Sequence, residues 1–216
     1  DEDNKIIYCT DEISQSNALN LWLSNNREVI KADPLIDAQF IPWLESQNEK
    51  YQFQRVDSEI NEHSEKDSPE IVDKDGKSSS DNIKEIITKA LNNEKVTVKV
   101  QSLKNNNAPP ALILLPEQMR RINDMGAYME QKIPGLPEYH VLLVNKDHPL
   151  ISGLIKLTEK KIIINEKVSD DSSVTKRIAN HIYEMAKLTI GGLDQKQIID
   201  LQLSNAELIT ELLNSN

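Results

Sequence analysis

Two places in the chain hold residue types that could do covalent or acid–base chemistry. The single cysteine, Cys9, lies in IIYCT, and Asp147 stands beside His148 in NKDHPLI. A cysteine near a base is a nucleophile, and a His–Asp pair is a general base. Neither stretch supplies the rest of the pattern. Cys9 falls in an apolar run that reads as a buried strand, where a thiol is a small hydrophobe. Asp147 is placed to cap a helix, with Pro149 in that helix's first turn. The other histidines, His63, His140 and His181, are not spaced with carboxylates as a metal ligand set. His140 falls within a strand, and His181 beside an apolar helical stripe. No GxSxG, P-loop or GxGxxG is present. The expectation is therefore no catalytic residue, no metal and no cofactor in these residues.

The types that do recur suit binding. EQMRRINDMGAYMEQKIPG, residues 117–135, holds three of the four methionines. Met119, Ile122, Met125 and Met129 fall at helical spacing beside Arg120 and Arg121. Gly126 weakens such a helix by about 1 kcal/mol relative to Ala. Methionine at this spacing can fill a core. On a marginal amphipathic helix it can also form a pliable surface that accepts many apolar partners.

The elements that must position these groups follow from periodicity. KIIYC, REVIKA and YQFQRV are strand candidates, separated by helices in SQSNALNLWLSNN and FIPWLESQ. That order predicts a small β-α-β-α-β unit. DSEINEHSEKDSPEIVDKDGKSSSD is polar and charged, and reads as a linker or long surface loop. Beyond it, DNIKEIITKALNN places Ile83, Ile86, Ile87, Ala90 and Leu91 on one helical face, with Ser80 or Asp81 as cap. VTVKVQS, ALILLP and YHVLLVN are three strands, with a helix between the second and third. ISGLIKLTEKKI continues as a helix. SSVTKRIANHIYEMAKLTIGG is the clearest helix in the chain, closed by Gly191 and Gly192. A last helix is expected in SNAELITELL, where Ser204 and Glu207 match a capping box. The fold class is α+β. The expected domains are residues 1–60, a linker or loop at 61–80, and 81–216 ending in a helical bundle.

The terminal helices hold more apolar residues than a two-helix end needs for itself, among them Leu188, Ile190, Leu193, Ile198, Ile199, Leu201 and Leu203. Val174, Ile178, Ile182, Met185, Ala186 and Thr189 make one stripe, and Leu208, Leu212 and Leu213 another. Periodicity alone leaves two readings open: an internal core, or a four-helix interface with a second copy around a twofold axis.

Composition limits the partners. The 216 residues carry a formal net charge of −10, with 38% hydrophobic and 28% charged residues. An acidic surface argues against nucleic acid and anionic membranes. One cysteine and no CxxC favour a reducing, cytoplasmic setting. No run approaches the roughly 18 apolar residues of a membrane span. The sequence opens on Asp rather than Met, as expected of a fragment.

Four segments, in order, resemble the C-terminal part of the ninety-kilodalton heat-shock chaperones, bacterial HtpG type. KIIYCTDEISQSNALNL resembles the strand and helix that open the last subdomain of the family's middle domain. PPALILLPEQMRRINDM resembles its strand and amphipathic helix, VLLVNKDHPLI its strand and turn, and SVTKRIANHIYEMAKLTIGGLD its penultimate helix. Lys146 and Cys9 depart from the family pattern, and DQKQIIDLQLS looks like a lengthened connection before the final helix.

The resemblance implies a stress-response chaperone fragment with 1–60 closing the middle domain and 81–216 forming the dimerisation domain. It implies a homodimer through the last two helices, involving Ile178, Ile182, Met185, Ala186, Thr189, Leu208 and Leu212. Met119, Ile122, Met125 and Met129, with Trp43 or Phe40, would contact unfolded or partly folded clients. ATP and Mg would belong to an N-terminal domain of the parent. No acidic Met-Glu-Glu-Val-Asp tail is present, so tetratricopeptide cochaperones are not expected to dock. The alternative is a stand-alone interaction or adaptor module without chaperone activity.

Overall fold

The structure, a computed structural model, describes residues 5–48, 50–58, 78–103, 108–116, 120–121, 139–164 and 172–214. They form two three-stranded sheets with helices on their faces, an α+β arrangement.

The first unit is β1 (Lys5–Cys9), α1 (Ser16–Ser24), β2 (Ile30–Lys31), α2 (Asp37–Gln47) and β3 (Gln52–Arg55). Its strands are all parallel in the order β2-β1-β3, with Tyr8 opposite Ile30 and Ile6 opposite Phe53. A central parallel strand is covered on both faces, so its sequence is apolar throughout rather than alternating. Ile7 and Cys9 point to one side and pack with Ala18 and Trp22 of α1 and with Val56. Tyr8 points to the other, with Ala32, Ile41 and Phe53. The Trp22 Nε1–H donates to the buried Val56 carbonyl at 2.9 Å, so the indole fills the core without a polar debt. Helix α2 begins at Asp37, before the FIPWLESQ stretch, and carries Pro42 in its interior.

The second unit opens with α3 (Ser79–Leu91), followed by β4 (Val96–Gln101), β5 (Ala111–Leu114) and β6 (His140–Asn145). Strand β6 is central, parallel to β4 and antiparallel to β5. One face of this sheet, through Val96, Val98, Ile113, Leu142 and Val144, packs on Ile83 and Ile87 of α3. It also receives Ile151 and Leu154 of α4 (Pro149–Ile164) and Ile182 and Ala186 of α5 (Ser172–Thr189). The opposite face holds Leu112, Leu114, Val141 and Leu143. These pack against Leu103 and against Leu21, which comes from α1 of the first unit. Helix α1 is thus a shared layer: Ala18 and Trp22 face one sheet, and Leu21 the other.

The helix ends depart from the sequence expectation in three places. The cap of α3 is Ser78, not Ser80 or Asp81. Its hydroxyl accepts from the Asp81 amide while the Asp81 carboxylate accepts from the Ser78 amide. The cap of α4 is His148, whose Nδ1 accepts from the Leu150 amide at 3.1 Å, whereas Asp147 accepts from the Ser102 hydroxyl. Helix α6 spans Gln195–Asn214, so DQKQIIDLQLS is helix rather than connection. Its capping box is Asp194 and Gln197, reciprocally bonded at 2.8 and 3.0 Å, and Ser204 lies mid-helix. Between α5 and α6 the expected glycine stop is present. Gly191 has φ +68°, and the Gly191 and Gly192 amides close on Leu188 and Lys187.

Candidate interaction surfaces

The groups that suggested chemistry are occupied within the fold. Cys9 is 2% exposed and its thiol donates to Gln15 Oε1 at 3.1 Å. Burial pushes the thiol upward from its ordinary pKa, away from the thiolate that a nucleophile requires. The Gln15 oxygen also accepts from the Thr10 amide, which fixes the loop between β1 and α1. His140 is buried, and its Nε2 meets the Tyr183 hydroxyl at 2.8 Å with the two ring planes nearly parallel. Burial raises the Tyr183 phenol to about 12, and Lys187 lies over the ring at 5.4 Å. His181 Nδ1 is buried without a hydrogen-bond partner among the described residues. His63 lies outside them. Among the described residues no group of three or more His, Cys, Asp or Glu stands close enough to hold a metal ion.

What the described residues present instead are two apolar surfaces. The first lies on α2 and its approach. Leu35, Ile36, Phe40 and Trp43 are each between 47% and 68% exposed. Ile36, Phe40 and Trp43 are at i, i+4 and i+7, on the side away from Ile41, which enters the core. The Phe40 and Trp43 rings stack at 5.5 Å. Both aromatics named from the sequence are therefore on one exposed ridge, extended by two aliphatics that the sequence reading did not single out.

The second surface is on α6. Leu201 is buried and Leu208 is half-buried along one side of the helix. Ile199, Leu203, Ile209 and Leu213, at i, i+4, i+10 and i+14, line another side and are 49%, 60%, 58% and 73% exposed. A helix with two apolar sides and one cover has more hydrophobic surface than its own domain uses. On α5, Met185, Leu188 and Thr189 are exposed nearby in sequence, while Arg177 reaches Glu211 of α6 at 2.9 and 3.0 Å.

The residues named from the resemblance divide on this geometry. Ile182 and Ala186 are 1% and 3% exposed in the chain's own core, and Ile178 packs against that core. Met185 and Thr189 are exposed and Leu208 is half-buried. The Leu212 side chain lies outside the described set, as do Met119, Ile122, Met125 and Met129. Periodicity singled out the inner stripe of α5. The apolar surplus of the terminal residues includes Ile199, Leu203 and Leu213, but the pattern does not separate this outer face of α6 from its inner side.

Arg120 and Arg121 are described, and both side chains reach the first unit. Arg120 donates to the Tyr8 hydroxyl at 2.8 Å, and Arg121 to Glu45 at 2.6 and 3.0 Å. No helix among the described residues is long and apolar enough to cross a membrane.

No family model matches the chain. Over 202 residues it is 30% identical to the chaperone protein HtpG of Porphyromonas gingivalis, an alignment that takes in 87% of this chain. The chain spans 28% of that relative's length. This likeness over most of its residues links the chain to the HtpG chaperones, and to a part of one rather than to the whole.

Proposed function

We propose that the chain is the dimerising, client-holding part of an ATP-dependent cytoplasmic chaperone. The observation that carries this reading is the second apolar side of α6. Ile199, Leu203, Ile209 and Leu213 have no cover among the described residues, and a second copy of the same helix is chemically matched to them. Exposed Met185 and Leu188 of α5 would widen the seam. Ile182 and Ala186, already enclosed, would act by holding α5 in place beneath it.

Clients would meet a separate surface. The Phe40–Trp43 ridge and the methionines of residues 117–135 offer large, adaptable apolar contacts without a fixed polar code. This suits partly unfolded chains better than one folded partner. The likeness to HtpG supports the same assignment. Nucleotide binding and hydrolysis would fall to a part of the parent outside these residues, leaving this part without catalytic chemistry of its own.

The test of the client surface replaces its large apolar side chains. Phe40→Ser with Trp43→Ser, and separately Met125→Ala with Met129→Ala, are expected to weaken suppression of client aggregation at least threefold. Thermal stability should change little. Full suppression by both pairs of variants would rule out this surface.

A further inference from the structure

The two units meet along α1, and a cavity of about 290 Å³ opens at that meeting. One wall is α1 itself. Asn17, Asn20 and Ser24, at i, i+3 and i+7, share its face toward the cavity. The other wall belongs to the second unit: Leu103 just after β4, Pro109 just before β5, and Leu112 within β5. Leu103 and Leu112 are each 4% exposed and form a hydrocarbon floor. Asn20 and Ser24 are exposed, so the polar wall is also the rim.

The second wall is pinned by one side chain. Asn145, itself 3% exposed, accepts from the Leu103 amide at 3.2 Å, and its carboxamide donates to the Pro109 carbonyl at 3.5 Å. Its backbone amide donates to the Pro110 carbonyl at 2.9 Å. A buried polar group satisfied in this way fixes the segments on both sides of the floor. On α1 the bonding is different. The Ser24 hydroxyl donates back to the Leu21 carbonyl at 3.0 Å and keeps its oxygen free to accept. The Asn17 and Asn20 carboxamides have no hydrogen-bond partner among the described residues. Each offers both an N–H and a C=O.

Chemistry narrows the occupant. None of the eight residues lining the cavity is charged, so neither an anion nor a cation would find a counter-charge there. The volume lies just under the roughly 300–1,000 Å³ of small-molecule sites. It suits one aliphatic side chain with the peptide groups beside it. A peptide group carries one donor and one acceptor, and a carboxamide complements both. The hydrocarbon floor complements the side chain.

We propose that this cavity seats one aliphatic residue of an extended, uncharged polypeptide segment. Asn17 and Asn20 pair with its backbone, and Leu103, Pro109 and Leu112 receive its side chain. As a client site it rests on the client-binding reading above, and it names the part of a client that is held. None of its residues belongs to the Phe40–Trp43 ridge. Because each unit supplies one wall, the site exists only while the two are seated together.

The probe is the capped tripeptide acetyl-Ser-Leu-Ser-amide, titrated into the isotope-labelled 216-residue chain and followed by amide chemical shifts. Acetyl-Ser-Ser-Ser-amide and acetyl-Ser-Glu-Ser-amide are the controls. The leucine peptide should give saturable shifts in residues 17–24 and 108–112, and bind at least tenfold more tightly than either control. Asn17→Leu with Asn20→Leu keeps the bulk but removes both carboxamides, and should weaken the peptide at least fivefold. If that pair fails to fold, Asn20→Ala at its exposed position should still weaken it at least twofold. Affinity for reduced, carboxymethylated α-lactalbumin, an unfolded client, should fall at least threefold in the asparagine pair. No saturable shift, equal binding of the controls, or unchanged tripeptide affinity in the asparagine variants overturns the cavity as a peptide site. Weakened tripeptide with unchanged α-lactalbumin affinity, in a parent chain that binds both, overturns its use by clients. A parent chain that binds the tripeptide but not α-lactalbumin removes the client reading, while the cavity stands as a peptide site.

Discussion

Replacing Leu203 and Leu213 together by alanine tests whether the outer face of α6 is a seam between two copies. Burying a leucine side chain fully is worth about 2 kcal/mol. Leu203 is 60% and Leu213 73% exposed, so covering what remains of each contributes about 1.2 and about 1.5 kcal/mol respectively. A twofold axis counts each residue twice, giving about 5 kcal/mol per dimer. Alanine keeps only the first side-chain carbon, so the loss is roughly 4 kcal/mol. At 1.4 kcal/mol per decade that is between a hundredfold and a thousandfold in the dissociation constant. Because both side chains are mostly exposed within the chain, the melting temperature should shift by no more than about 2 °C. Sedimentation equilibrium across a micromolar concentration series reads the constant directly. A parent chain that stays monomeric at about 100 µM, or a double variant within threefold of the parent, would refute the reasoning. Ile182→Glu is the contrasting case. At 1% exposure in the core it should unfold the chain rather than release intact monomers, with a cost above about 4 kcal/mol.

Three further outcomes follow from single contacts. Trp22→Phe removes the donor to the buried Val56 carbonyl and should cost about 1–3 kcal/mol in urea unfolding; no measurable loss would mean the carbonyl finds another donor. Gly191→Ala meets no atom within 4 Å of the added carbon, yet its φ of +68° is unfavourable for alanine, so about 1 kcal/mol should be lost through backbone strain alone. Tyr183 is held neutral in the fold up to about pH 12, against an ordinary value of 10.0. The folded state therefore keeps a proton that the unfolded chain releases, and stability present below pH 10 should fall as pH rises from 10 towards 12. Chemical unfolding at pH 9 and 11 measures the decline, and Tyr183→Phe should flatten it.

Much of this was readable in the residues. The run IIYC announced a strand covered on both faces, and the isoleucine spacing of α3 announced its buried side. Gly191 and Gly192 marked the stop of α5 because only a left-handed residue closes both terminal carbonyls. The start of α6 was harder to place, since Asp194–Gln197 and Ser204–Glu207 each match a capping box. Local pattern cannot choose between them. That Ile199, Leu203 and Leu213 face outward on α6 was hidden for a related reason. Periodicity shows that a helix has an apolar side, but what that side is pressed against depends on residues distant in sequence. The same limit applied to Arg120 and Arg121, whose partners are 112 and 76 residues away.

The double role of α1 has a consequence for how the molecule can be divided. Leu21 closes the back of the second sheet over Leu112, Leu114, Val141 and Leu143, while Trp22, one position on, belongs to the first core. A protease cut anywhere in residues 59–77 should therefore leave two pieces that co-migrate under native conditions and part only in denaturant. Residues 78–216 made alone would be born with a bare aliphatic sheet face and should be insoluble. Supplying residues 1–58 in trans should restore solubility, making the two halves a natural pair for fragment complementation.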